Sequence, residues 1–121
     1  MAVSDSSPLD PELFGQLKEL EIGAPGFLKD LISQFLEQAE RQIALLRELA
    51  ASRDGEGVHR AAHLLKGSSG SIGALALMEL LRGLETAGQK RAWADAEALL
   101  PRVDVEFARV KAALTAAQDG K

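Results

Sequence analysis

Residues 59–74 read HRAAHLLKGSSGSIGA, an apolar helical run that leads directly into a segment rich in glycine and serine. Three glycines and three serines occupy the seven positions from Gly67 to Gly73. A glycine inside a helix costs about 1 kcal/mol relative to alanine. We therefore expect the missing side chains to clear space for something beside His63.

The helix that contains this stretch has one buried face and one exposed face. Four positions share one side of a helical wheel and predict the buried stripe: Val58, Ala62, Leu65 and Ser69. His63 then points about 130° away from the core. Lys66 and Gly67 follow it by three and four residues, so both are its neighbours on the helix surface. An exposed imidazole is thus predicted between a cation and bare backbone.

Helical periodicity extends along the rest of the chain, and no alternating strand pattern occurs. Asp10 and Pro11 have the residue types that cap and begin a helix, which predicts a short first helix from Pro11. Four longer amphipathic segments follow, at 27–52, from 56 to between 70 and 73, at 74–87 with Gly88 ending it, and at 92–116 with a kink at Pro101. These segments predict an all-α fold, an antiparallel four-helix bundle with a short additional N-terminal helix.

Length and composition narrow the classes of function. A chain of 121 residues fits one domain, placed at 9–117. Residues 1–8 are expected to be a disordered tail or linker remnant, and residues 118–121 a disordered tail. The net charge of −4 argues against a nucleic-acid partner, which would require a basic surface. Cysteine is absent, which excludes disulfides and thiol chemistry. We expect no membrane insertion, because no apolar run reaches about 18 residues. A cytoplasmic location is the simplest expectation, and a single small bundle favours a monomer.

The predicted face around His63 suits phosphoryl chemistry. Imidazoles in general titrate near pH 6.5, so a neutral ring nitrogen is available as a nucleophile at cytoplasmic pH. Phosphoryl transfer depends mainly on positioning and charge stabilisation, and Lys66 is placed to offset phosphoryl charge. These residues suffice for a carrier of phosphate but not for a kinase, which must also bind nucleotide and metal.

AHLLKGSSGSIGA at 62–74 and LMELLRGLE at 77–85 resemble the signature of histidine-containing phosphotransfer (HPt) domains, the relay modules of bacterial two-component phosphorelays. The opening LDPELFGQL at 9–17 is also similar to that family. The resemblance implies a phosphorelay intermediate, a carrier without autonomous kinase activity. It would accept a phosphoryl group from a receiver-domain aspartate and pass it to another receiver. Both a free-standing shuttle and the C-terminal module of a hybrid sensor histidine kinase, at the cytoplasmic end of a membrane-anchored protein, are open, and the opening LDPELFGQL favours the module.

The resemblance also implies roles for individual residues. His63 would be phosphorylated at Nε2, Lys66 would steady the phosphoryl group, and Gly67 would let a receiver approach. Either Glu85 or Arg82 lies where the family places a polar group against the other ring nitrogen. Three residues are assigned to partner docking: His59, Leu64 and Gly70. The receiver would bring the Mg²⁺, so no cofactor is expected on this chain.

Other interpretations of these residues remain open. The same face would also suit a protein-interaction bundle that binds a non-receiver partner, with phosphotransfer secondary; apolar residues there, Leu64 and also Leu13 and Leu17, would form the docking patch. His59 and His63 have a helical metal-ligand spacing, but only Glu56 or Glu85 could add a third ligand. GSSGSIG fits no phosphate-binding loop motif, and no strand precedes it.

Overall fold

The computed structural model describes residues 7–118, which form five α-helices and contain no β-strand. The helices are α1 (Pro11–Gly23), α2 (Phe27–Ala51), α3 (Gly55–Ser71), α4 (Leu75–Lys90) and α5 (Trp93–Gln118). The predicted all-helical chain is therefore confirmed for these residues. Positions 1–6 and 119–121, which make up most of the two predicted tails, lie outside them. No helix within 7–118 has the length and apolarity needed to cross a lipid bilayer.

Side-chain carboxylates accept hydrogen bonds from backbone N–H groups at the starts of α1 and α2. Asp10 accepts a hydrogen bond from the backbone N–H of Glu12 at 3.1 Å, and Pro11 opens α1, as the sequence predicts. The start of α2 is capped from the preceding helix. The Glu21 carboxylate accepts from the N–H of Gly26 at 2.9 Å and from that of Leu28 at 2.7 Å. These two backbone hydrogen bonds lower the pKa of Glu21.

The four long helices pack in a closed ring around the core. The α3 helix lies against α2 and α4, and α5 also lies against α2 and α4, while α1 packs on α2. This arrangement is consistent with the predicted bundle. The N–H of Asp10 donates to the carbonyl of Gly73 at 2.7 Å and ties the start of α1 to the α3–α4 connection. The stripe predicted for α3 is buried completely: Val58, Ala62, Leu65 and Ser69.

Several residues predicted to point inward are half-buried at the edge of the core: Leu31, Leu49, Met78, Leu99 and Phe107. On α5 the buried stripe includes Glu106, a charged residue that the helical pattern did not predict inside. Its carboxylate accepts a hydrogen bond from Arg109 at 2.8 Å, which compensates part of the cost of burying the charge. The helix continues through Pro101 as one element, as predicted.

Gly88 does not end α4, so this prediction is wrong. The helix continues to Lys90, and Arg91 forms its left-handed cap at φ 57°. Gly88 is instead buried in the contact between α3 and α4, where a Cβ would lie 2.8 Å from both the backbone nitrogen of His59 and Cγ1 of Val58. On α3, a Cβ on Gly55 would lie 2.6 Å from the carbonyl oxygen of Gly88. These two glycines let the two backbones approach closely.

Substitution of Gly88 by alanine should therefore destabilise the fold. The added methyl group meets backbone atoms that cannot move aside, and overpacking of this kind costs about 1–3 kcal/mol of unfolding free energy. Gly67→Ala is the matched control, because a Cβ there meets nothing within 4 Å. That variant should be stabilised by up to about 1 kcal/mol through helix propensity. Urea unfolding followed by circular dichroism measures both; similar effects from the two variants would contradict the close contact.

Candidate functional site

Helix α3 presents His63 to solvent. The buried stripe fixes the rotation of the helix and leaves the His63 side chain 66% exposed. The ring therefore lies where the helical wheel predicts it. On a helix that is packed along its opposite face, the position of an exposed side chain is set by a rigid backbone rather than by a loop.

The Glu85 carboxylate on α4 joins His63 to Lys66. Glu85 Oε2 lies 2.7 Å from Nδ1 of His63, and Glu85 Oε1 accepts a hydrogen bond from Nζ of Lys66 at 2.6 Å. Glu85 and Lys66 are 14% and 19% exposed in their side chains, so this pair is much less hydrated than the imidazole. Of the two residues that the sequence left open as contacts of the ring, Glu85 is the one in place. Arg82 pairs with Glu79 at 3.2 Å.

The contact with Glu85 determines which nitrogen of a neutral His63 carries the proton. An ionised carboxylate can only accept hydrogen bonds, so Nδ1 must be the protonated donor. The lone pair of the ring then resides on Nε2, on the side of the imidazole away from Glu85. The geometry therefore gives an exposed ring with a nucleophilic nitrogen directed away from α4.

The hydrogen bond from Lys66 is the largest influence on the charge of Glu85. It lowers the pKa of the Glu85 carboxyl against the opposing effect of burial, and the hydrogen bond from His63 lowers it further. Glu85 is consequently ionised at neutral pH, as the tautomer of His63 requires. The Lys66 ammonium is already paired, but one of its three N–H groups is enough for this bond, and the others remain for another acceptor.

His59 lies one turn before His63 and contacts the same residue of α4. Its Nδ1 lies 3.1 Å from the backbone carbonyl oxygen of Glu85, which can only accept, so Nδ1 is the donor here as well. The rings of His59 and His63 are stacked, with centroids 6.5 Å apart and planes inclined by 19°. Both imidazoles therefore direct Nδ1 towards Glu85 and Nε2 away from it.

This parallel arrangement does not suit a shared metal ion. Two nitrogen ligands at the usual zinc distance can be at most about 4.2 Å apart. Near-parallel rings anchored on the same side hold their outer nitrogens about as far apart as the 6.5 Å between their centroids. Within the part of the chain that the structure describes, no group of three or more His, Asp or Glu side chains is placed to hold a metal.

The three glycines that follow His63 have three different surroundings. A Cβ on Gly67 would meet open space, so this position leaves the flank of the imidazole uncovered. A Cβ on Gly70 would lie 2.9 Å from Sδ of Met78, so packing against Met78 explains the glycine at this half-buried position. Gly73 has a φ of 86° in the α3–α4 connection, a conformation that favours glycine.

Apolar surface is present next to the open flank. The side chain of Leu64 precedes Lys66 on α3 and is 54% exposed, which agrees with its predicted position away from the core. Leu13 and Leu17 on α1 are half-buried, and Leu17 packs against the core. Leu64 is thus the most exposed of the apolar residues that the sequence associates with this face.

Comparison with known proteins identifies a family and two curated relatives. The Hpt domain family model matches residues 30–120. The chain is 25% identical over 118 residues to Multistep phosphorelay regulator 1 of Schizosaccharomyces pombe, covering 97% of this chain and 40% of that protein. It is 29% identical over 108 residues to Histidine-containing phosphotransfer protein 2 of Arabidopsis thaliana, covering 84% of this chain and 67% of that protein. The chain thus spans less than half of the first relative and about two thirds of the second.

Solved structures share the fold. Histidine-containing phosphotransfer protein B (HptB) from Pseudomonas aeruginosa PAO1 superposes with a TM-score of 0.86 at 23% identity, over 94% of this chain and 96% of that one. The histidine-containing phosphotransfer protein ZmHP2 from maize superposes with a TM-score of 0.82 at 28% identity, over 89% and 80% of the two chains. The arrangement of helices in this chain is therefore that of known phosphotransfer proteins.

The bridge made by Glu85 should make stability depend on pH in a defined direction. A carboxylate whose pKa is lowered in the folded state stabilises the fold above its unfolded pKa, and this contribution is lost as pH falls through the folded pKa. Glu85→Gln should thus be less stable than the native chain at pH 7, with a difference that shrinks as pH falls below about 4.5. Urea unfolding across this pH range measures it.

Glu79→Gln serves as the control for the pH measurement. Glu79 lies on the same helix and pairs with Arg82, but its side chain is 61% exposed, and such pairs contribute little. We expect a small effect of Glu79→Gln at every pH. A difference between the native chain and Glu85→Gln that stays constant from pH 7 to pH 3 would contradict the bridge.

Proposed function

The chain belongs to the Hpt domain family of phosphotransfer proteins, and from that premise we propose that His63 is the residue through which it relays phosphate. Nε2 of His63 accepts a phosphoryl group from the aspartate of one receiver domain and passes it to the aspartate of another. One observation carries the proposal. The 2.7 Å contact between Nδ1 and Glu85 leaves the lone pair on Nε2 of an imidazole that is 66% exposed.

The transfer is a displacement at phosphorus. The Nε2 lone pair attacks the phosphorus atom of the aspartyl phosphate, the N–P bond forms, and the P–O bond to the aspartate breaks with its electrons leaving on the carboxylate. Nδ1 keeps its proton, so the phosphorylated ring carries a positive charge. The Glu85 carboxylate lies directly against that proton and stabilises the charge. In the reverse direction a second receiver aspartate attacks the same phosphorus atom.

Lys66 supports the phosphoryl group while it remains bound to Glu85. Its ammonium uses one N–H on Glu85 Oε1, and its remaining N–H groups are available to a phosphoryl oxygen. Glu85 therefore has two roles: it orients the imidazole and it restrains the lysine. This chain supplies positioning and charge, while the receiver would supply the Mg²⁺ and the aspartate, as the family resemblance implies.

The receiver docks on the open side of His63. Gly67 leaves room beside the ring, and Leu64 offers exposed apolar surface on the same helix. Gly70 and His59 border this surface on α3. We take α2–α5 as an antiparallel four-helix bundle with α1 as the addition, because the connections are short and the packing ring is closed.

The wider context is part of the same proposal. The segment LDPELFGQL supports a domain that works as the C-terminal module of a hybrid sensor histidine kinase, without kinase activity of its own. Exchange of phosphate with receivers would take place in the cytoplasm. We propose a monomer, since one copy of the chain contains all the residues that the transfer uses.

Replacement of His63 should abolish phosphorylation and preserve the fold. Incubation of the domain with a phosphorylated receiver should give a label that is stable to base and lost in acid, as expected of a phosphorus–nitrogen bond. His63→Gln should give no label, while its helical content by circular dichroism stays native. Label of the same stability to acid and base on His63→Gln would contradict the assignment.

Bulk at Gly67 should block the receiver without affecting the chemistry. Gly67→Leu meets open space within the domain and should fold normally. We expect transfer from a phosphorylated receiver to fall by more than tenfold, while labelling of His63 by phosphoramidate, a small phosphoryl donor, stays within twofold of native. Equal transfer from the receiver would contradict the docking face.

His63→Gln and Gly67→Leu also distinguish the phosphorelay carrier from the alternative, a protein-interaction bundle. If the domain binds a non-receiver protein and phosphotransfer is secondary, binding should be weakened by Gly67→Leu and unchanged by His63→Gln. A domain that no phosphorylated receiver labels, yet whose partner binding shows this pattern, would favour that alternative over the relay.

A further inference from the structure

His59 takes no part in the transfer described above, although its placement parallels that of His63. Both imidazoles donate Nδ1–H to Glu85, one to the carboxylate and one to the backbone carbonyl. The rings are stacked at 6.5 Å with planes inclined by 19°, so their Nε2 atoms lie on the same side. A group attached to Nε2 of His63 would thus be next to Nε2 of His59.

The charges around His63 leave a phosphoryl group incompletely compensated. A phosphoryl group carries a charge of about −1.5 to −2 at neutral pH. The single positive charge of Lys66 is shared with the Glu85 carboxylate, 2.6 Å away. Phosphorylation also leaves one positive charge on the ring of His63, so the surroundings formed by α3 and α4 gain about one net negative charge. His59 is a titratable group on the same face that is able to gain a positive charge.

We propose that His59 is a second phosphoryl-binding residue, one that takes up a proton when His63 is phosphorylated. The inference rests on the proposed function of His63. The proton comes from solvent and binds Nε2 of His59, and the resulting positive charge attracts the phosphoryl group electrostatically. Nδ1 keeps its hydrogen bond to the Glu85 carbonyl, so the imidazolium stays in place. The phosphorylated domain thus binds a fraction of a proton more than the free domain near neutral pH.

The other charged side chains near His59 do not outweigh the influence of the phosphoryl group. Glu56, on the first turn of α3, and Arg91, which follows α4, line the same small cavity as His59 and carry opposite charges. Glu85 and Lys66 on its other side form a pair. Phosphorylation adds a phosphoryl group and a positive charge on the ring, so the net charge changes by about −1; at a distance of about 6.5 Å this favours protonation about threefold even in a water-like dielectric. The phosphoryl group is therefore the dominant new influence on His59.

The test measures how the phosphoryl group distributes between His63 and a receiver aspartate at equilibrium from pH 8 to pH 6. In the native domain, acidification should shift the distribution towards His63 about twofold more than in His59→Gln, which is neutral at every pH. His59→Arg carries a permanent charge and should favour His63 throughout, with a flat profile like that of His59→Gln. Superimposable native and His59→Gln profiles would overturn the proposal.

Imidazole NMR of the native domain provides a readout that does not depend on the folding of any variant. Labelling with phosphoramidate should move the protonation midpoint of His59 upward by about half a pH unit, the equivalent of the threefold effect. An unchanged protonation midpoint of His59, in a domain that carries phosphate on His63, would overturn the role of His59 and leave the proposed function of His63 standing. If no phosphorylated receiver labels His63, the proposed function fails and this inference fails with it.

Discussion

The contact on which the site depends is the bridge that Glu85 makes from α4 to two residues of α3. It orders the His63 ring, selects the tautomer that leaves Nε2 free, and holds Lys66 beside it. A carboxylate does this better than a neutral amide, because it can only accept and because it balances the positive charge that the ring gains on phosphorylation. The function proposed for the exposed His63 thus depends on the charge of Glu85, whose side chain is mostly buried.

The bridge in turn requires α3 and α4 to be close together. Gly88 and Gly55 have no side chains where the two helices meet, and a methyl group at either position would lie within 3 Å of the facing helix. This close approach is one turn from Glu85, so the spacing of the backbones fixes how far the carboxylate must extend. Core packing and site geometry are therefore set by the same pair of helices.

Much of this arrangement could be read from the sequence, because helical periodicity depends on local spacing. The stripe containing Val58 and Leu65 predicted that His63 faces solvent, and the ring does so. The choice between Glu85 and Arg82 could not be made, since it depends on the distance and rotation between two helices. The prediction that Gly88 ends α4 is wrong for a related reason: a glycine near a helix end suits both a cap and a close contact, and only tertiary packing separates the two. The orientation of His59 also follows from a backbone carbonyl on another helix, which has no sequence signal.

The most direct test of the central claim is the tautomer of His63 in the unphosphorylated domain. Long-range proton–nitrogen NMR on a sample with ¹⁵N-labelled imidazoles, at a pH where the ring is neutral, reports which nitrogen carries hydrogen. The structure predicts a proton on Nδ1, held by Glu85, and a bare Nε2. A ring that is protonated mainly on Nε2 would contradict the account, because the nitrogen proposed to attack phosphorus would then have no free lone pair.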